Sequence, residues 1–280
     1  MKHDTISADD GEQLHSYRFG TGTPILFLHG WTSSHATWAP LVETLAANNF
    51  CLMRPDARGH GGHPLSMNPE PDVRRLARDV INLLDFYGIE RVAAVGHSMG
   101  ALTLWQCIRD VGTERFSHLT FIDQSPKLLT DETWNGGIYG DFDQAHAQRL
   151  LDELNTDFAE AVLRLIALGL NDKSRETYLR NSSGWRAARE TLRSFDPPSV
   201  IAIWNSLVAA DYRDVLPSID VPTLLAYGTA SNFYTAETAR FVASQIPYAR
   251  LSLYEGADHC PHLCQPERFA SELSQLLKER

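Results

Sequence analysis

A serine with a glycine two residues away on each side is the clearest chemical signal in the chain, in Gly96–Gly100 (GHSMG). It follows an apolar segment typical of a buried strand, and a helix-patterned segment starts at Met99. A sharp strand-to-helix turn leaves no room for side chains at the two glycine positions, and it lifts the Ser98 oxygen above the sheet. The Met99 amide then points into the site at the positive end of the helix. The pattern predicts a serine that attacks a carbonyl carbon.

A second turn, His29-Gly30-Trp31, directly follows the apolar segment Ile25–Leu28. A His-Gly turn at the end of a strand exposes backbone N–H groups. Together with the serine motif, it predicts that the amides of Trp31 and Met99 form an oxyanion hole, which stabilises the charge developing on a carbonyl oxygen.

The elements that must position these turns alternate between strands and helices. Most of the strand segments are continuously apolar, as in strands covered on both faces, and the helical segments carry apolar residues at a 3.6-residue period. This alternation predicts an α/β fold with a mostly parallel, eight-stranded sheet and helices on both faces. The predicted strands are 5–7, 14–19, 25–28, 50–53, 92–95, 119–122, 223–227 and 251–254, the first two forming a hairpin, and the predicted core helices are 71–87, 99–111 and 266–278.

The middle of the chain breaks this rhythm, because residues 126–216 contain helical patterns and no convincing strand. We predict a core domain formed by residues 1–125 and 217–280, with 126–216 inserted as a helical cap. Such a cap would lie over the carboxyl edge of the strands, where ligands bind in open α/β sheets. The predicted cap helices are 144–154, 157–168, 175–180, 184–195 and 199–209.

Aromatic side chains of the cap are candidates for an apolar substrate pocket. The alternative for each of them is that it packs the cap onto the core. The predicted substrate-binding residues are Trp134, Tyr139, Trp185 and Trp204, together with His29 from the oxyanion turn.

Composition limits the partners. The 280 residues carry a formal net charge of -10, and an acidic chain repels phosphate backbones and anionic lipid. The polar N-terminal segment lacks the apolar core of a signal peptide, no apolar run reaches the length of a membrane helix, and the four cysteines form no disulfide framework. We therefore predict a cytoplasmic enzyme, monomeric or homodimeric, that acts on a small molecule and binds neither nucleic acid nor membrane.

A metal site is the rival interpretation of one loop, where His259, Cys260, His262 and Cys264 lie close together. Structural zinc sites usually combine two separated ligand pairs, and no second pair appears elsewhere in the chain. We predict that the protein has no metal and no cofactor.

Nearly end to end, the chain resembles the α/β-hydrolases of the esterase, lactonase and non-haem-peroxidase group. The resemblance lies in His29-Gly30-Trp31, 55–61 (PDARGHG), the GHSMG motif, 222–228 (PTLLAYG) and 256–259 (GADH). It implies the chain order nucleophile, acid, histidine, with His259 as the base that removes the serine proton. His262 lies on the same loop but does not match the motif position. The resemblance also implies that 55–61 is a structural turn behind the site.

The acid departs from the pattern of these relatives. The usual Gly-x-x-Asp reads Gly228–Ser231 (GTAS) here, and a serine hydroxyl cannot balance an imidazolium charge. We therefore expect little effect from replacing Ser231. Some relatives place the acid after the preceding strand, which here ends at Asp123, so Asp123 is the predicted triad acid. The alternatives are that Asp123 only caps its strand, or that Asp258 or Glu237 serves instead.

These residues predict a serine hydrolase that cleaves an ester, thioester or lactone of a small apolar or aromatic substrate through an acyl-enzyme on Ser98. One alternative is a cofactor-independent dioxygenase that cleaves a quinolone-type heterocycle with His259 as base, since such relatives place their acid after the same strand. Another is a non-catalytic receptor for a small molecule on the same scaffold.

Overall fold

The computed structural model describes residues 1–65 and 70–279, and its centre is a sheet of eight strands. The spatial order is β1-β2-β4-β3-β5-β6-β7-β8; β1 and β2 pair antiparallel, β2 pairs antiparallel with β4, and all other neighbours are parallel. The predicted α/β fold class is confirmed. The strands are β1 (Lys2–Ser7), β2 (Gln13–Phe19), β3 (Thr23–Leu28), β4 (Phe50–Asp56), β5 (Val92–His97), β6 (Phe116–Ile122), β7 (Thr223–Gly228) and β8 (Ala249–Tyr254).

Helices cover both faces of this sheet. Leu84 of α2 and Trp105 of α3 are buried in one apolar cluster, whereas Leu45 of α1 and Phe269 of α11 are buried in a second cluster. The helices are α1 (Ala39–Ala47), α2 (Val73–Phe86), α3 (Met99–Val111), α4 (Gln144–Thr156), α5 (Phe158–Ala167), α6 (Asp172–Leu179), α7 (Ser183–Arg193), α8 (Pro197–Ala209), α9 (Ala236–Gln245), α10 (Pro261–Cys264) and α11 (Pro266–Leu276).

The helices α4 to α8 all lie between β6 and β7, in the segment predicted to be helical. In the described chain this segment contains only isolated β-bridges, Lys127 with Asp211 and Asp131 with Trp134, and no strand. Three helices, α1, α9 and α10, are absent from the sequence prediction. All three are short, and α9 buries only Thr238, Ala239 and Val242, so its apolar period is weak.

Over the described residues, no helix has both the length and the apolar character needed to cross a membrane.

The parallel strands bring distant parts of the chain to one edge of the sheet. Because β3, β5, β6, β7 and β8 run in the same direction, their carboxyl ends lie on the same side. Trp31 follows β3, Ser98 follows β5, Asp123 follows β6 and His259 follows β8. The topology therefore gathers the predicted catalytic residues at the carboxyl edge.

Candidate active site

The turn that carries Ser98 has a strained backbone. Ser98 has φ 53° and ψ -117°, a backbone conformation that residues other than glycine rarely adopt. A Cβ atom on Gly100 would lie 2.2 Å from the Leu28 carbonyl oxygen, and one on Gly96 would lie 2.6 Å from the Ala101 amide nitrogen. The glycines are required because backbone occupies the space of their missing side chains. Strain of this kind concentrates at functional sites.

The carboxylate of Asp123 contacts the ring of His259. Asp123 is completely buried just after β6, with φ 46°, and its Oδ1 lies 3.3 Å from His259 Nδ1. The Gly228 amide donates to Oδ2 at 3.0 Å, and the Ser231 hydroxyl donates to Oδ1 at 2.9 Å. These donors replace the water that the carboxylate loses on burial.

Neither rival carboxylate has this contact. Asp258 Oδ1 accepts hydrogen bonds from the Cys260 amide at 2.8 Å and from the Cys264 thiol at 3.4 Å. Glu237 is exposed and pairs with Arg240 at 3.4 Å. Of the three candidates, Asp123 alone has a hydrogen bond to the His259 ring among the described residues.

Contacts that the sequence analysis did not anticipate hold His259 from several sides. Its amide donates to Asn232 Oδ1 at 3.3 Å, and its carbonyl oxygen accepts from His97 Nε2 at 2.9 Å. The Phe233 ring lies edge-on to the imidazole, with ring centroids 4.5 Å apart. Of the residues that make these contacts, only His97 lies inside a motif that the sequence analysis identified, the GHSMG motif.

Ser231, whose replacement was expected to have little effect, contacts the predicted acid. Its oxygen accepts hydrogen bonds from the amides of Phe233 and Tyr234, each at 3.2 Å. A hydroxyl has two acceptor lone pairs and one proton. With both lone pairs used, the proton points to Asp123 Oδ1, and the expectation that Ser231 has little influence loses its basis.

The oxyanion turn approaches the serine closely. A Cβ on Gly30 would lie 3.3 Å from Ser98 Cβ, so glycine permits this approach. Met99 is the first residue of α3, and the first amides of a helix have no acceptor within it. Trp31 and Met99 line the same cavity as Ser98. The role of the two amides as an oxyanion hole stays a prediction.

The turn 55–61 supports this oxyanion turn from behind. His29 Nε2 accepts a hydrogen bond from the Ala57 amide at 3.0 Å, and His60 Nε2 accepts one from the Thr32 amide at 3.1 Å. Burial lowers the pKa of His60 to about 3 and also lowers the pKa of His29, so both rings stay neutral and can accept. His29 is buried and does not line the cavity that contains Ser98. Its predicted role in substrate binding therefore does not fit, because its ring supports the backbone.

A cavity of about 350 Å³ opens between this edge of the sheet and the cap helices. Ser98 and His259 both line it, and its walls are mainly apolar. No lysine or arginine of the described chain lines it. Apolar residues of its walls include Leu102, Leu128, Ile138, Val162, Leu165 and Trp204.

The four cap aromatics divide into two groups. Trp185 and Trp204 line the cavity. Trp134 and Tyr139 do not, which corrects their prediction as substrate-binding residues. The Trp134 indole donates to a main-chain carbonyl at 3.0 Å, and the Tyr139 hydroxyl donates to a carbonyl of α5. Their polar atoms join segments of the cap, as in the packing alternative.

Within the described part of the chain, no group of three or more histidine, cysteine, aspartate or glutamate side chains is arranged to hold a metal ion. Burial raises the pKa of the Cys260 and Cys264 thiols, which disfavours the thiolate form that metals bind.

Comparison with known proteins agrees with this architecture. The chain is 24% identical over 276 residues to a pimeloyl-[acyl-carrier protein] methyl ester esterase of Vibrio parahaemolyticus, covering 95% of this chain and 98% of that protein. It is 28% identical over 264 residues to 3-oxoadipate enol-lactonase 1 of Acinetobacter baylyi, covering 91% and 88%. The crystal structure of a bromoperoxidase from Bacillus anthracis superimposes with a TM-score of 0.86 at 21% identity, covering 99% of this chain and 100% of the other.

A family model described as the alpha/beta hydrolase family matches residues 25–272, which contain Ser98, Asp123 and His259. This match spans most of the chain and includes the helices between β6 and β7. The chain therefore belongs to the alpha/beta hydrolase family.

Proposed function

We propose that this protein is a carboxylic ester hydrolase that cleaves an ester, thioester or lactone of a small apolar or aromatic substrate through an acyl-enzyme on Ser98. The observation that carries the proposal is the buried Asp123 carboxylate against His259 Nδ1, at the wall of the cavity that Ser98 also lines. Relatives named as an esterase and an enol-lactonase support the same class of reaction.

The proposed first half-reaction forms the acyl-enzyme. Because Asp123 accepts from Nδ1, His259 carries its proton there and leaves Nε2 free to take the proton of Ser98. The Ser98 oxygen attacks the carbonyl carbon, and the amides of Trp31 and Met99 stabilise the negative oxygen of the tetrahedral intermediate. The intermediate collapses, and His259 returns the proton to the departing alcohol or thiol.

The second half-reaction reverses these roles with water. His259 removes a proton from the water as it attacks the acyl carbon, and the same two amides stabilise the second tetrahedral intermediate. Collapse releases the acid, and Ser98 regains its proton from His259. Asp123 stays ionised throughout and stabilises the imidazolium that forms twice in each cycle.

The cavity supports an uncharged acyl group as substrate. Its walls are mainly apolar and carry no lysine or arginine among the described residues, so a second carboxylate on the substrate would be buried without a cation. Comparing the p-nitrophenyl esters of hexanoic acid and of glutaric acid, which have similar chain lengths, tests this point. We expect kcat/KM to favour the hexanoate at least about 100-fold, about 2.7 kcal/mol of discrimination. A preference for the glutarate ester would contradict the proposed substrate class.

A fluorophosphonate probe tests the serine mechanism directly. We expect a stable adduct on Ser98 and loss of ester turnover after labelling. Ser98→Ala should neither react with the probe nor turn over esters, while its thermal unfolding stays close to that of the wild type. Turnover by Ser98→Ala at the wild-type rate would exclude the acyl-enzyme.

A cofactor-independent dioxygenase is the second candidate. The position of Asp123 directly after β6 favours it, because such relatives place their acid after the same strand. In such a reaction His259 would deprotonate a quinolone-type substrate and Ser98 would not be a nucleophile. Oxygen uptake with a hydroxyquinolone that survives in Ser98→Ala would support this candidate. A protein that binds the hydroxyquinolone without consuming oxygen, and that turns over no ester, would indicate the receptor alternative.

A further inference from the structure

The side chain of Asn232 links the cap to the loop that carries His259. Asn232 lies after β7, is 3% exposed, and uses both ends of its amide. Its Oδ1 accepts from the His259 amide at 3.3 Å. Its Nδ2 donates to the Ile166 carbonyl of α5 at 3.0 Å and to the Ser174 hydroxyl of α6 at 2.9 Å. One buried side chain thus bonds two cap helices and the main chain of the predicted base.

The main chain around Asn232 is bonded to the cap as well. The Asn232 carbonyl accepts from the Leu170 amide at 2.9 Å, and the Phe233 carbonyl accepts from the Tyr139 amide at 2.8 Å. A Cβ on Gly169 would lie 2.2 Å from the Asn232 carbonyl oxygen, so the two backbones are in close contact. This loop therefore cannot shift independently of the cap.

The same loop contributes two of the contacts that hold His259, those of Asn232 and Phe233. The His259 amide is bonded by Asn232, its carbonyl by His97, and its ring by Asp123, with Phe233 packed against the ring. Loss of the Asn232 side chain removes the hydrogen bond from the His259 amide and allows the main chain of His259 to shift. A displacement of about 1 Å at a reacting group can cost about 100-fold in rate.

We propose that Asn232 is a positioning residue that couples the docking of α5 and α6 to the orientation of the His259 imidazole. The inference rests on the proposed function of His259 as the base. The inference assigns a role to the loop after β7. Relatives carry the acid on this loop, whereas this chain has Ser231 at that position. Through this loop, the cap that encloses the substrate also sets the geometry of the base.

Asn171 offers a matched control. It is also a buried asparagine, 9% exposed, and its Nδ2 donates to the Ala230 carbonyl at 2.5 Å, which joins α6 to the same loop. It has no hydrogen bond to His259, and it caps α6 by accepting from the Ser174 amide at 2.9 Å. Asn171→Ala therefore breaks a comparable cap-to-loop contact and lowers stability without reaching the base.

The kinetic test compares Asn232→Ala, Ser174→Ala, their double variant and Asn171→Ala on p-nitrophenyl hexanoate, well below every unfolding temperature. We expect Asn232→Ala to lower kcat by about 30- to 100-fold with KM changed less than about threefold. Ser174→Ala should lower kcat by a few fold, and the double variant should match Asn232→Ala because Ser174 acts through Asn232. Asn171→Ala should keep kcat within about twofold of wild type.

A proton NMR measurement reports the position of His259 without turnover. The Nδ1 proton between His259 and Asp123 is expected far downfield; His259→Gln identifies it by its loss. Asn232→Ala should shift or broaden this resonance, whereas Asn171→Ala should leave it in place. Unchanged kcat and resonance in Asn232→Ala would overturn the inference, and so would equal losses in Asn171→Ala. If the wild type turns over no ester, the proposed function fails, while the resonance still decides whether Asn232 positions the ring.

Discussion

The substitution Asp123→Asn tests the predicted acid most sharply, because it removes a charge and replaces one acceptor oxygen with an NH2 donor while keeping the shape. In the structure each carboxylate oxygen faces a donor: the Gly228 amide at Oδ2, and the Ser231 hydroxyl and His259 Nδ1 at Oδ1. The NH2 group of asparagine must therefore oppose one of these donors. If it takes the Oδ1 side, it donates to His259 Nδ1 and moves the ring proton to Nε2.

That tautomer cannot accept the proton of Ser98. The corresponding change in a serine protease triad lowers kcat by about 10⁴, which is about 5.5 kcal/mol in activation free energy. Because Asp123 is fully buried and shielded from bulk solvent, we expect a loss of the same order, about 10⁴. The variant should also unfold at a lower temperature, since one donor is left opposed to another.

The assay is kcat/KM on p-nitrophenyl hexanoate, with circular dichroism to confirm that the variant is folded at the assay temperature. Glu237→Gln is the matched control, because Glu237 is a rival carboxylate that is exposed, pairs with Arg240 and makes none of the described contacts of His259. It should keep activity within about twofold. Retention of more than a tenth of wild-type activity by Asp123→Asn, or an equal loss in Glu237→Gln, would refute the assignment of the acid.

Three further predictions concern stability and the support of the acid. Burial lowers the pKa of His262 to about 3, below the unfolded value near 6.5, and neither ring nitrogen has a hydrogen-bond partner among the described residues. The unfolded chain binds the proton first, so stability should fall as pH drops below about 6.5, by up to about 1.4 kcal/mol per pH unit for this residue. In urea unfolding at pH 7.5 and 5.5, the free energy of unfolding of His262→Leu should depend less on pH than that of the wild type. An equal pH dependence in the two proteins would contradict this. Ser231→Ala removes a donor to a buried carboxylate, worth about 1.5–3 kcal/mol, and should lower kcat by about 10- to 100-fold; stopped-flow or steady-state hydrolysis within twofold of wild type would show that the contact is unimportant. Gly100→Ala places a methyl group against the β3 backbone and should lower the unfolding temperature sharply or prevent soluble accumulation, whereas Gly184→Ala, where the space is open, should not.

The fold was largely predictable from sequence because its determinants are local. Continuous apolar segments indicated most strands of the sheet, and the 3.6-residue period indicated most helices. The exceptions α1, α9 and α10 are short, and α9 buries few side chains. The turn at Ser98 was predictable for a similar reason: the two glycines are needed by steric contacts within a few residues and with one neighbouring strand.

The triad acid could be predicted from sequence only in part. Residue types and spacing show that Ser231 occupies the usual acid position and that Asp123 follows a predicted strand, so Asp123 was the predicted acid with Asp258 and Glu237 as rivals. Which of the three carboxylates contacts the His259 ring depends on the tertiary structure, because a strand order that brings β6 and β8 on either side of β7 is needed to place the Asp123 carboxylate 3.3 Å from His259.

The surroundings of His259 were decided by tertiary structure alone. Asn232 meets α5 and α6 about sixty residues earlier in the chain, and no local pattern encodes which carbonyls a buried amide will reach. The same limit explains why Tyr139 was assigned to the pocket although its hydroxyl bonds a cap helix. Residue type and spacing determined which groups could react, whereas the packing of distant segments determined which side chains hold those groups in place.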